Sequence, residues 1–192
     1  MNTNWAEENL SLIRTLMERA SIYRRALAPI MITTGVIGAS AAVVGLSGKL
    51  DAATSFLTCW ASAAIVALFA GFLLARREAL REREAFWSPP TRRVAIALLP
   101  AGVGGIIAAC AEPDMARLAG WWLLIYGCGL HGAGFFMPSG VRRLSWIFII
   151  AGALALVFGK ISPHAVMGVG FGGLHLAYGI YLYATRTKPT SL

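Results

Sequence analysis

Runs of roughly 20 apolar residues recur along this chain, separated by short polar stretches. A run of that length crosses about 30 Å of hydrocarbon as a helix. No water is available there to satisfy backbone amides, so a lipid-exposed run must bond within itself. The pattern predicts an all-α integral membrane bundle. Composition agrees: of 192 residues, 57% are hydrophobic and 14% charged, against about 25% charged in a soluble domain. Six spans are predicted, at about 26–46, 54–75, 94–111, 118–137, 144–159 and 164–185. Pro29 falls in the first turn of span one. Pro100, followed by Gly102, Gly104 and Gly105, predicts a kink in span three.

Between spans two and three, the loop 76–93 carries Arg76, Arg77, Arg81, Arg83, Arg92 and Arg93. A bilayer core does not accept that many charges. Basic loops stay cytoplasmic, so this loop sets the direction of every other segment. The pairs Arg24-Arg25 and Arg142-Arg143 mark the same side. All 17 basic residues except Lys49, Arg117 and Lys160 then fall inside. The expectation is an inner (plasma) membrane protein with both termini cytoplasmic. The excess of Arg over Lys, with abundant Ala and Gly, points to a GC-rich bacterial genome.

That asymmetry explains the net charge of +8 without nucleic acid. Anionic headgroups are the expected basic-face partner. Residues 4–25 read as an amphipathic helix, with Leu12, Ile13, Leu16, Met17, Ala20 and Tyr23 on one side and Arg14, Glu18 and Arg25 on the other. Such a helix lies on the inner leaflet or docks on a protein partner. Residues 186–192 form a short cytoplasmic tail. Trp60, Trp121 and Trp122 are expected at the outer interface, and Trp87 and Trp146 at the inner one.

An arginine pair precedes each odd-numbered span, so the chain reads as three consecutive helical hairpins. Gly129-Leu130-His131 echoes Gly173-Leu174-His175 between spans four and six. His131 lies 11 residues before Arg142, and His175 lies 11 before Arg186. Counted along helices running the same way, both imidazoles should reach a similar depth. Gly127 and Gly134 flank His131; Gly168, Gly172 and Gly179 flank His175. At helical spacing each histidine should face a groove without side chains.

Intramembrane ionisable residues mark functional sites by default. His131 and His175 are therefore candidate ligands of a b-type haem, ligands of a metal ion, or members of a proton or small-solute pathway. The competing reading is close helix packing through small residues, with each histidine bonded to a neighbouring helix. His164, at the outer mouth of span six, reads as interfacial.

Several classes lose ground. No Asp or Glu lies within a span, which speaks against proton- or sodium-coupled transport. No Ser-His-Asp set, HExxH, Walker loop or CxxC is present, so no catalytic residue is assigned. Cys59, Cys110 and Cys128 match no metal or redox spacing. A Cys59–Cys110 disulfide is compatible with their predicted depth. Glu112 and Asp114 form a solvated outer turn or a weak cation site. The leading expectation is a non-enzymatic, membrane-embedded binding, regulatory or assembly partner, contacting others through its amino-terminal helix and the 76–93 loop. The alternatives are a haem- or metal-binding protein using His131 and His175, and a facilitator for a small weakly polar solute lined by the glycines of spans three, four and six.

Overall fold

The structure, a computed structural model, describes residues 26–49, 52–81, 86–159 and 161–185. The amphipathic helix expected over 1–25, with Arg24 and Arg25, lies outside the described residues, as do Arg83 and the 186–192 tail. The described residues are helical, without a strand. They form α1 (Ala26–Gly48), α2 (Ala53–Arg81), α3 (Pro89–Ala111), α4 (Met115–Ala133), α5 (Ser139–Phe158) and α6 (Pro163–Ala184).

All but α4 are long and apolar enough to cross a membrane, which makes this a multi-pass membrane protein. Their outward faces carry large apolar side chains such as Val66, Ile106, Ile150 and Ile180, as contact with lipid tails requires. In α4 the apolar run is diluted by Trp121, Trp122, Tyr126, His131 and four glycines. It is also the most enclosed helix, packing on α5, α3 and α6. A helix shielded by its neighbours shows less of itself to lipid.

Local chemistry sets the ends, and several differ from the sequence reading. Pro89 and Pro90 open α3, five residues before the predicted start at Val94, because proline has no amide to leave unpaired in a first turn. The helix continues through Pro100. Asp114 caps α4, its Oδ1 accepting from the amides of Ala116 (2.8 Å) and Arg117 (3.4 Å). Glu112 binds Arg117 Nε at 3.1 Å. The two acids of the far turn therefore already have structural partners. α4 ends at Ala133, passes through the tight turn Gly134–Phe136 and stops at Pro138. Gly159 ends α5 in the left-handed region, with φ 42°.

Two antiparallel seams hold the body together. In the first, Gly120 of α4 meets Gly152 of α5, Gly127 meets Phe148 and Ile149, and Gly134 meets Arg142. In the second, Gly35 and Gly38 of α1 meet Leu176 and Phe171 of α6, while Gly168, Gly172 and Gly179 of α6 meet Ala42, Ala39 and Ile32. Lipid tails are as apolar as leucine, so helices in a bilayer associate through close van der Waals packing, which small residues permit. The body closes where Gly170 of α6 meets Leu123 of α4.

The remaining helices are attached more loosely. The most apolar stretches of α2 and α3 are 6% and 0% buried, against 39%, 33% and 33% for α1, α5 and α6. α2 touches the body mainly at the end away from the arginines, where Phe56 and Trp60 join Ala41, Leu118 and Met167 in a buried cluster. α3 leans on α4, where Trp122 Nε1 donates to the Gly105 carbonyl at 2.9 Å. At the basic end, Arg93 lies over the Phe136 ring at 5.9 Å and Arg142 over Phe135 at 5.2 Å.

Candidate functional site

His175 is the most deeply buried polar group with a candidate role, at 1% exposure. It follows directly after Gly168–Leu174, which is π-helical. A π turn takes roughly one residue more than an α turn, so faces read at α spacing move apart across it. Gly168 and Gly172 duly face α1, while His175 faces α4 and α5; Gly179, beyond the π segment, also faces α1. The glycine that does share the histidine's side is Gly170, five residues before it and packed against Leu123 and Phe148.

The ring of His175 sits among Phe171 (centroids 5.9 Å, stacked), Phe148 (5.2 Å, edge-on) and Tyr126 (5.6 Å). Its Nε2 lies 2.9 Å from the Tyr126 hydroxyl. Its Nδ1 has no hydrogen-bond partner among the described residues. The tautomer of the imidazole sets which of Tyr126 and His175 donates in their bond.

His131 occupies a different place. It stands two residues before the end of α4 at Ala133, near the basic end and not at the depth of His175. The equal-depth expectation counted helical rise from His131 to Arg142, but the chain turns at Gly134–Phe136 and breaks before Ser139. Tyr126, five residues earlier or about 7.5 Å along the axis, is the α4 residue level with His175. Ser145 donates to the Arg142 carbonyl at 2.7 Å, so its oxygen accepts from His131 Nδ1–H at 3.0 Å. Phe135 and Trp146 stand edge-on to the His131 ring. No hydrogen bond or ring contact joins His131 to His175.

His164, expected at the interface, is buried instead. Its ring fills the space above Gly45, where a side chain would overlap it. Trp60 Nε1 donates to its Nδ1 at 3.2 Å, and Phe56 meets it edge-on at 5.0 Å. Trp60 and Trp122 thus spend their indole N–H groups on internal bonds, while Trp87 and Trp146 are exposed.

The donor set near His175 does not suit a porphyrin. The Tyr126 hydroxyl holds its Nε2, three aromatic rings crowd its imidazole, and the adjacent glycine face is closed by Ala39, Ala42 and Ile32. Among the described residues no three His, Cys, Asp or Glu side chains are grouped closely enough to hold a metal ion. Cys59, Cys110 and Cys128 are free thiols. Gly127 and Gly134 keep the helical spacing that places them with His131 toward α5, but backbone and side-chain atoms of α5 occupy the space beside them. The flanking glycines therefore mark contact seams; His131 bonds to α5 across its seam, while His175 bonds to α4, outside the α1/α6 seam its glycines form. Comparison with protein-family models, curated proteins and solved structures finds no match to this chain.

Proposed function

We propose that this chain is a six-span bacterial inner-membrane protein with both termini cytoplasmic, acting as a non-enzymatic binding or assembly partner. α4 crosses with the others in this reading, because it runs antiparallel along the length of α5, from Gly120 against Gly152 to Gly134 against Arg142. The arginine loop sets the cytoplasmic side, and Arg76, Arg77, Arg81, Arg92, Arg93, Arg142 and Arg143 are exposed there, suited to anionic headgroups.

One observation carries the binding role. α2 is 29 residues long, or about 43 Å at 1.5 Å per residue, well beyond the hydrocarbon thickness. Its last turns form a basic projection. Leu80, 69% exposed, stands among its arginines, and Trp87, 60% exposed, lies in the turn before α3. The Arg81–Glu78 pair at 3.9 Å is solvated and contributes little to holding the projection in place. The chain beyond it is tied back by Phe86, which meets Phe72 edge-on at 5.0 Å. A cationic arm with exposed apolar side chains suits a partner that offers acidic and apolar groups. The seamed body supports the same reading, since its buried polar side chains are committed to one another.

The test is a photoreactive side chain at Leu80 in cells, with one at lipid-facing Leu154 as control. Leu80 is expected to yield a discrete protein adduct that disappears in the Arg76→Gln, Arg77→Gln, Arg81→Gln variant or on removal of residues 1–25. Leu154 should yield lipid adducts alone. If Leu80 also captures only lipid, the binding role is wrong.

A further inference from the structure

We propose that the end of the bundle away from the arginines holds a single zwitterionic phospholipid, one whose head combines a phosphate with a primary ammonium. A cavity of about 360 Å³ opens there between the first turns of α2 and the turn joining α3 to α4. Leu57, Ala109, Met115 and Leu118 give it an apolar wall, and Glu112 stands at its edge. The volume is that of a small-ligand site, and the apolar wall suits the upper part of an acyl chain.

The charges beside it select the head. Glu112 and Asp114 are two residues apart, and Arg117 follows in the first turn of α4. Arg117 uses Nε on Glu112, and its Nη groups have no partner among the described residues. They can donate to a phosphate in the fork geometry that arginine offers. Asp114 spends Oδ1 on the α4 cap, which leaves Oδ2 for an ammonium. Among the described residues, the charged side chains beside the cavity are two carboxylates and one guanidinium. A head that brings both a phosphate and an ammonium complements it, whereas an anionic head meets two acids with one cation.

Cys110 lines the same cavity and is an exposed thiol, so it reports occupancy without any mutation. The full chain is alkylated with a maleimide in mixed micelles, and modification at Cys110 is read by mass spectrometry. Phosphatidylethanolamine at about ten times its dissociation constant is expected to slow labelling about tenfold, by mass action. Phosphatidylglycerol at the same mole fraction should leave the rate near its detergent value. Arg117→Gln, at an exposed position, should remove most of the protection. The proposal is overturned if both lipids protect equally, if neither does, or if Arg117→Gln keeps full protection. It is likewise overturned if protection arises in detergent alone and grows with protein concentration, since a second copy would then fill the cavity. None of these outcomes bears on Leu80 or the basic arm.

Discussion

In the α1/α6 and α4/α5 seams a glycine marks the place where another backbone arrives; at Gly102 of α3 the same residue borders open space. A Cβ at Gly172 would stand 2.9 Å from the Ala39 amide nitrogen, and one at Gly152 would stand 2.8 Å from the Gly120 carbonyl oxygen. A Cβ at Gly102 would meet nothing within 4 Å. The difference separates a body whose cohesion depends on backbone proximity from two helices that adhere along one edge. Since lipid competes equally for apolar side chains, only the close approach in the seams favours helix over lipid.

Each half of that contrast can be broken. The largest effect is expected in the seams: Gly172→Ala and Gly152→Ala should each destabilise the folded protein by about 1–3 kcal/mol, because rigid backbone must move. Denaturant titration in micelles followed by circular dichroism measures this. Wild-type stability in both variants would show that the seams are looser than described, and would revive a solute path along these faces.

A smaller effect is expected between the halves of the body. Tyr126→Phe removes the hydroxyl bonded to His175 Nε2, and should cost about 1 kcal/mol, since polar pairs in membrane bundles are modest. A double-mutant cycle with His175→Leu should return a coupling of about 0.6 kcal/mol. Zero coupling would mean that the pair is adjacent without being bonded. The smallest effect belongs to α3. Gly102→Ala should change stability by less than about 0.5 kcal/mol, or raise it slightly, because alanine favours helix and meets no neighbour. Destabilisation near the seam values would show that α3 is covered by something beyond this chain.

Much of the architecture was readable from residue order, and the limits of that reading have local causes. Helix ends moved where capping chemistry outweighed hydropathy: Pro89 begins α3 and Asp114 begins α4, although both lie outside the apolar runs. His131 and His175 take separate partners for two backbone reasons. His131 was referred to Arg142 across a turn that is not helical, and α6 was read at α spacing through Gly168–Leu174. His164 and His175, 11 residues apart, would point within roughly 20° of each other on an unbroken α-helix. In the structure one bonds Trp60 of α2 and the other Tyr126 of α4. Four glycines in that segment were a usable signal for altered helix geometry, and a tyrosine within an apolar run signals a required hydroxyl partner. Neither signal names the partner.

Sequence alone determined that this chain is helical and built for a membrane, because run length and the absence of water in hydrocarbon leave few other solutions. It also concentrated the arginines into loops that a bilayer core excludes. Only the tertiary structure decided which helices become seams, which glycines face a backbone, and which partner each histidine takes. Those choices depend on helix rotation and on where helical rise is interrupted. A single wide turn or non-helical loop changes both while leaving the apolar pattern intact.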